Sequence, residues 1–254
     1  MRTLRDTWLI FERSMQLTLR NPAWVAIGVI QPLFFLMLFG PLLQPLAGAP
    51  GFPTGASPLN VFVPGLLIQL GLFGTAFVGF GLIGEVRYGV IERLRVTPVS
   101  RLALLLGRAL RDTVVLLVQA VLLVLCAVPF GLHLNVLGLL VVLGLLVLLG
   151  LLMVSISYAL ALWLRSEDAL APLLNTVTLP LLLLSGVLLP LSLAPGWLRA
   201  IAAVNPLSYA VDAARALFNE QLGDASIPLA VVILGVLAAI ALVGASRSFS
   251  RSTA

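Results

Sequence analysis

Between two strongly apolar stretches lies Gly84–Asp112, GEVRYGVIERLRVTPVSRLALLLGRALRD. Its six arginines (Arg87, Arg93, Arg95, Arg101, Arg108, Arg111) and three acids (Glu85, Glu92, Asp112) suit ion pairing and docking onto a partner. Groups fit for catalysis are scarce. The chain has no lysine, so it lacks the G-x-x-x-x-G-K-[ST] loop that holds nucleotide phosphates, and any ATP hydrolysis is expected to fall to another polypeptide. Ser185-Gly186 has no histidine or lysine base to make the serine a nucleophile. Single His133 and Cys126 supply neither a metal ligand set nor a disulfide framework. The chain reads as one without a catalytic site, binding no metal or cofactor of its own.

The elements that must position this charged stretch are apolar. The chain is 61% hydrophobic and only 10% charged, against about 25% charged in a typical soluble domain. This is the composition of an all-α polytopic membrane protein. Six runs approach the ~20 residues needed to cross ~30 Å of hydrocarbon. They cover approximately residues 24–46, 59–84, 113–130, 136–164, 169–189 and 228–245. A charge at the centre of a membrane helix costs roughly 2.5–3.5 kcal/mol, so residues 85–112 are expected outside the bilayer, with every acid at or beyond a span end. Six spans place both termini on one side. Thirteen arginines fall on that side and two, Arg199 and Arg215, on the other, which by the positive-inside bias makes both termini cytoplasmic. The net charge of +5 is thus read as topology rather than as nucleic-acid binding. Residues 1–22 form an N-terminal cytoplasmic unit, 23–246 the membrane domain and 247–254 a tail. The first twenty residues are charged throughout and do not read as a cleavable signal, so the first span is expected to direct insertion.

Leu4, Trp8, Phe11 and Met15 make one apolar stripe, which predicts an amphipathic helix lying against lipid headgroups or packed on another cytoplasmic element. In the charged segment Val86, Val90 and Leu94 predict a short helix over 85–96. Pro98 disfavours helix at Thr97, and Thr97-Pro98 then suits the cap and first position of a second helix that runs into span three. Taken alone, these residues fit a gripped elbow and an ordinary solvated loop equally well. Gly71, Thr75 and Gly79 on span two, with Gly235 and Ala239 on span six, form rows of small residues that allow close helix contacts within or between subunits.

Residues 191–227 lie outside yet stay apolar. Asn205-Pro206 predicts a helix start, preceded by a short helix over 195–204. In the second helix Ser208, Asp212 and Arg215 share one face, and Leu207, Val211, Ala214 and Phe218 another. Within the spans Gln69 and Thr75 are the main polar groups of span two. Asn175, Thr178 and Ser185 draw a polar line on span five. Such groups face protein or water. They fit a substrate pathway and plain helix–helix hydrogen bonding alike.

The pattern G-E-x-R-x-G-x-x-E-R-L-R-x-T-P-V-S-R resembles the segment between spans two and three in permease subunits of type-2 ABC exporters, the daunorubicin-type branch being nearest. PLLLLSGVLLPLSLAPGWLRAIAAVNPLSYAVDAAR, Pro180–Arg215, is similar to that family's fifth span and following extracellular segment. With the span pattern, the likeness covers almost the whole chain. The resemblance implies that 85–112 holds a coupling helix seated in a separate ATPase, through Glu85, Arg87, Gly89, Glu92, Arg93, Thr97 and Pro98. It also implies an interfacial N-terminal helix, and re-entrant helices between spans five and six with Asn205, Pro206, Tyr209 and Asp212 at an outer gate. Spans two and five would line the pathway, with Gln69, Thr75, Asn175, Thr178 and Ser185 on it. The expected partners are two ATPase subunits using ATP and magnesium, a second permease copy as a homodimer, and lipids of the cell membrane. The expected cargo is a small amphiphile such as a drug, antibiotic or lipid, moved outward. The other readings are export of a polysaccharide or lipid-linked glycan, and a channel or scaffold needing no ATPase.

Overall fold

A backbone crossing hydrocarbon must satisfy its own N–H and C=O groups, and within a single run of apolar residues the α-helix does so. The computed structural model, which describes residues 2–21, 23–43, 57–89, 100–133, 135–187, 191 and 194–251, is helical throughout and has no strand among the described residues. The helices are α1 (Arg2–Arg20), α2 (Ala23–Leu43), α3 (Pro58–Ala76), α4 (Gly79–Arg87), α5 (Arg101–Ala127), α6 (Val136–Leu164), α7 (Glu167–Leu183), α8 (Gly196–Ala202), α9 (Pro206–Phe218) and α10 (Ser226–Arg251). Among the described residues, five stretches are long and apolar enough to cross a membrane: Val25–Leu42, Pro58–Arg87, Leu102–Phe130, Val136–Leu164 and Ser226–Ser248. The chain is a multi-pass membrane protein. Where a further span was expected over 169–189, α7 has 17 residues, a rise of about 25 Å.

At the centre stands α6, 29 residues capped at its start by Asn135, whose Oδ1 accepts from the N–H groups of Leu137 (3.0 Å) and Gly138 (3.3 Å). It touches α3, α4, α5, α7, α9 and α10. Apolar side chains pack in two clusters. The larger gathers Phe62, Leu66, Leu67, Leu145, Leu146 and Leu149 with α9 residues such as Leu207 and Val211. The smaller joins Ile10, Leu104, Leu105, Tyr158 and Leu162 beside the charged segment. In lipid such contacts act through close packing, since tails and side chains are equally apolar.

Span two is not the single helix expected. It breaks between α3 and α4, because Ser157 of α6 enters its hydrogen-bond ladder. Ser157 Oγ donates to the Ala76 carbonyl and accepts from Gly79 N–H at 2.9 Å. A β-carbon on Gly79 would fall 2.7 Å from the Ser157 carbonyl, so only glycine permits this approach. Gly71 likewise sits under Leu146 and Leu149, which makes the small-residue row of span two a seam within the chain. The row at Gly235 and Ala239 has no such neighbour at Gly235.

The helix expected over 85–96 is corrected at its start. Glu85–Arg87 complete α4, and Gly89, with φ +67°, turns the chain out of the helix after Tyr88 N–H reaches the Gly84 carbonyl at 2.9 Å. Residues 90–99 lie outside the described residues, and the helix that runs into span three starts at Arg101 and not at Pro98. Its cap is Ser100, whose Oγ accepts from Ala103 N–H at 3.2 Å. From there α5 continues without interruption into span three, as the sequence predicted.

Candidate functional site

At the charged end of the bundle, α4, α5 and α6 meet in a polar cluster. Arg108 Nη2 donates to Glu85 Oε2, tying α5 to α4. Tyr158 OH of α6 donates to Asp112 Oδ2, and Arg111 Nη1 lies 3.1 Å from Asp112 Oδ1. Arg108, Asp112 and Tyr158 are buried. Asp112, expected at a span end, is buried against Tyr158 of α6. It stands inside the continuous helix α5, compensated by Arg111 and Tyr158. Removing one member of such a cluster leaves the other uncompensated in a medium of low dielectric.

Beside the cluster, Leu82, Ile83, Val86, Arg87, Ala161, Leu162 and Arg165 surround a cavity of about 240 Å³. On the far side α1 lies along α5. A β-carbon at Gly107 would meet Ile10 Cβ at 2.7 Å, while Leu4 and Trp8 remain exposed. One edge of the N-terminal helix is thus packed on α5, and the other is a bare apolar surface. Of the residues assigned to coupling, Glu85, Arg87 and Gly89 lie together at the end of α4. Glu92, Arg93, Thr97 and Pro98 lie outside the described residues.

The opposite end is laced through backbone carbonyls. Arg215 of α9 donates from Nε to the Val61 carbonyl (2.9 Å) and from Nη2 to those of Gly186 (2.7 Å) and Val187 (3.3 Å). Burial lowers its pKa to about 10, with Asp212 pulling the other way. Asn60 Nδ2 donates to Phe218 O (2.9 Å) while its Oδ1 accepts from His133 N–H (3.2 Å). His133 enters through its backbone. Asn205 caps α9, its Oδ1 accepting from Leu207 N–H at 3.0 Å, and its Nδ2 donates to Leu181 O of α7 at 2.7 Å. Tyr209 OH donates back to Ala203 O at 2.7 Å. The predicted α9 faces divide differently from expectation. Ser208 and Arg215 are buried together with Leu207, Val211, Ala214 and Phe218, and Asp212 alone of that polar face is exposed. Arg215 can be buried because carbonyls of two other segments converge on it.

The proposed pathway residues do not form one lining. Thr75 is buried and donates to Gly71 O within its own helix, and Ser185 does the same to Leu182 O at 2.6 Å. Thr178 is buried, whereas Asn175 is exposed. Gln69 stands in the wall of a separate cavity between α2 and α3. Sequence reading missed Tyr158, Ser157, Asn60 and Gln119, read Arg108 and Asp112 as part of a docking segment, and placed Arg215 on a polar helix face without naming its partners. The legible signal was Ser155-Ile156-Ser157-Tyr158, a polar run within an otherwise apolar helix.

Comparison with known proteins places these observations in a lineage. The ABC-2 type transporter family matches residues 5–219. The putative transport permease ycf38 of Cyanophora paradoxa is 30% identical over 222 residues, covering 86% of this chain and 76% of that protein. Its counterpart in Pyropia yezoensis is 34% identical over 79% of this chain and 69% of its own length. The daunorubicin resistance ABC transporter permease protein DrrB1 of Streptomyces coeruleorubidus is 27% identical over 94% of this chain and 82% of its own.

Proposed function

This chain belongs to the ABC-2 type transporter family, and from that premise we propose that it is the permease half of an ATP-driven exporter of small amphiphilic molecules. Energy comes from a separate ATPase that hydrolyses magnesium-bound ATP and grips residues 85–112. The observation that carries this reading is the cluster in which that segment's own Glu85, Arg108 and Asp112 join with Tyr158 of α6. It fastens α4, α5 and α6 to one another, so a push on the segment moves three helices as a unit. Arg87, with Glu92, Arg93 and Thr97-Pro98 beyond it, supplies the contact surface, and Gly89 the turn that presents it.

In this reading both termini are cytoplasmic, α7 with the residues after it completes a sixth span, and α1 rests in the headgroup layer on Leu4 and Trp8. The helices α8 and α9 form the outer closure, with Asn205, Pro206, Tyr209 and Asp212 at its edge. A second copy of the chain and two ATPase subunits complete the transporter. The names of the drug-resistance relatives favour an amphiphilic drug or lipid as cargo over a glycan.

The test is reconstitution with the candidate ATPase in vesicles. Glu92→Ala and Arg93→Ala are each expected to lower transport-coupled ATP turnover about tenfold while leaving membrane insertion unchanged. Unaltered coupling in both variants would count against the assignment.

A further inference from the structure

We propose that the cleft between α2 and α3 is a binding site for the hydroxyl-bearing aromatic head of an amphiphile. A cavity of about 250 Å³ opens there, lined by Ile27, Gly28, Gln31, Pro32, Gln69, Leu70, Phe73, Gly74 and Phe77. Gln69 is 2% exposed, and its Oε1 is buried without a hydrogen-bond partner. A second acceptor stands close by. Pro32 has no N–H, so the Gly28 carbonyl is deprived of its usual helical donor four residues on. In a membrane interior an unmet acceptor costs several kcal/mol, and a ligand that brings a donor recovers that cost.

Gln119 of α5 stands against Gly28 and Gly74 of the site. Its Nε2 donates to Val25 O at 3.0 Å, and a β-carbon on Gly28 would fall 2.3 Å from that nitrogen. The amide therefore holds α2 against α5 while leaving the front of the cleft open. The remaining wall is aromatic. Phe73 stacks on Phe77 and Phe77 on Phe80, with interplanar angles of 16° and 6°. A buried acceptor beside the aromatic side chains of Phe73 and Phe77 selects a flat apolar body with a hydroxyl at its edge. The volume is below the roughly 300–1,000 Å³ of pockets for whole drugs, so the site takes one compact ring system. It shares Gln69 and span two with the expected pathway but is closed by α2 and not by span five. It depends on the transport reading only for regarding the occupant as cargo.

The experiment uses the full chain in phosphatidylcholine nanodiscs, without ATPase. A diazirine-tagged 2-naphthol and its O-methyl ether are photolysed in parallel, and labelled peptides are mapped by mass spectrometry. The naphthol is expected to label α2 and α3 about five- to tenfold more than the ether, the worth of one hydrogen bond. Gln69→Leu should reduce naphthol labelling to the ether's level while its thermal unfolding temperature holds or rises, since an unmet polar group has been removed. Gly74→Leu, which fills the cleft, should abolish labelling by both. Equal labelling by the two probes, or wild-type labelling of either variant, overturns the site. A lower unfolding temperature for Gln69→Leu does so as well, because that oxygen would then be bonded within the protein. Failure here leaves ATPase coupling untouched, and loss of coupling leaves this binding result standing.

Discussion

Single residues here matter through the carbonyls and carboxylates they reach. Arg215 makes three bonds to carbonyls from two other segments. Arg215→Met keeps most of the stem and removes the fork, and it should lower stability by about 3 kcal/mol, read as thermal unfolding in detergent. Arg215→Lys should recover only part of this, because one ammonium cannot replace a rigid planar fork. Asp224 gives a pH-dependent case. Its Oδ1 accepts from Ser226 N–H at 2.7 Å at the start of α10, and bonding to Ser226 holds its pKa below the usual carboxylate value. A carboxyl lowered by folding adds stability at neutral pH and loses it as pH falls through its folded value. Asp224→Ala should thus cost about 0.5–1 kcal/mol at pH 7, and the gap to wild type should close below the usual carboxylate range.

Elements in this chain end or break where a specific group intervenes. Span two bends because Ser157 occupies the gap between Ala76 O and Gly79 N. Ser157→Ala leaves both backbone groups unmet and should cost about 1–3 kcal/mol. Gly79→Val should be worse, as its β-carbon would meet backbone at 2.7 Å. Both are measured by unfolding in detergent, with Gly81→Ala as a control at a position where nothing lies within 4 Å. The start of α9 at Asn205 was legible because a cap's side-chain chemistry is local. The break in span two was not legible, because its cause sits 78 residues away on another helix.

At the scale of the whole molecule, the arginine distribution sets a definite orientation in the membrane to test. With Cys126 replaced by alanine, single cysteines at Thr3 and Thr253 should react only from the cytoplasmic side, and one at Leu222 only from outside. Reaction of Leu222→Cys from the same side as the termini would reverse the orientation. The sequence by itself determined the class, a helical membrane protein with its charge gathered at one end, because hydropathy and arginine placement are one-dimensional properties that lipid reads directly. It also carried the family, through the motifs around Glu85 and Asn205. Which polar residues matter was decided by the tertiary structure alone. Asp112, Tyr158, Asn60, Arg215 and Gln119 acquire meaning from partners on other helices, and in hydrocarbon a polar group's role is set by whether such a partner is within reach.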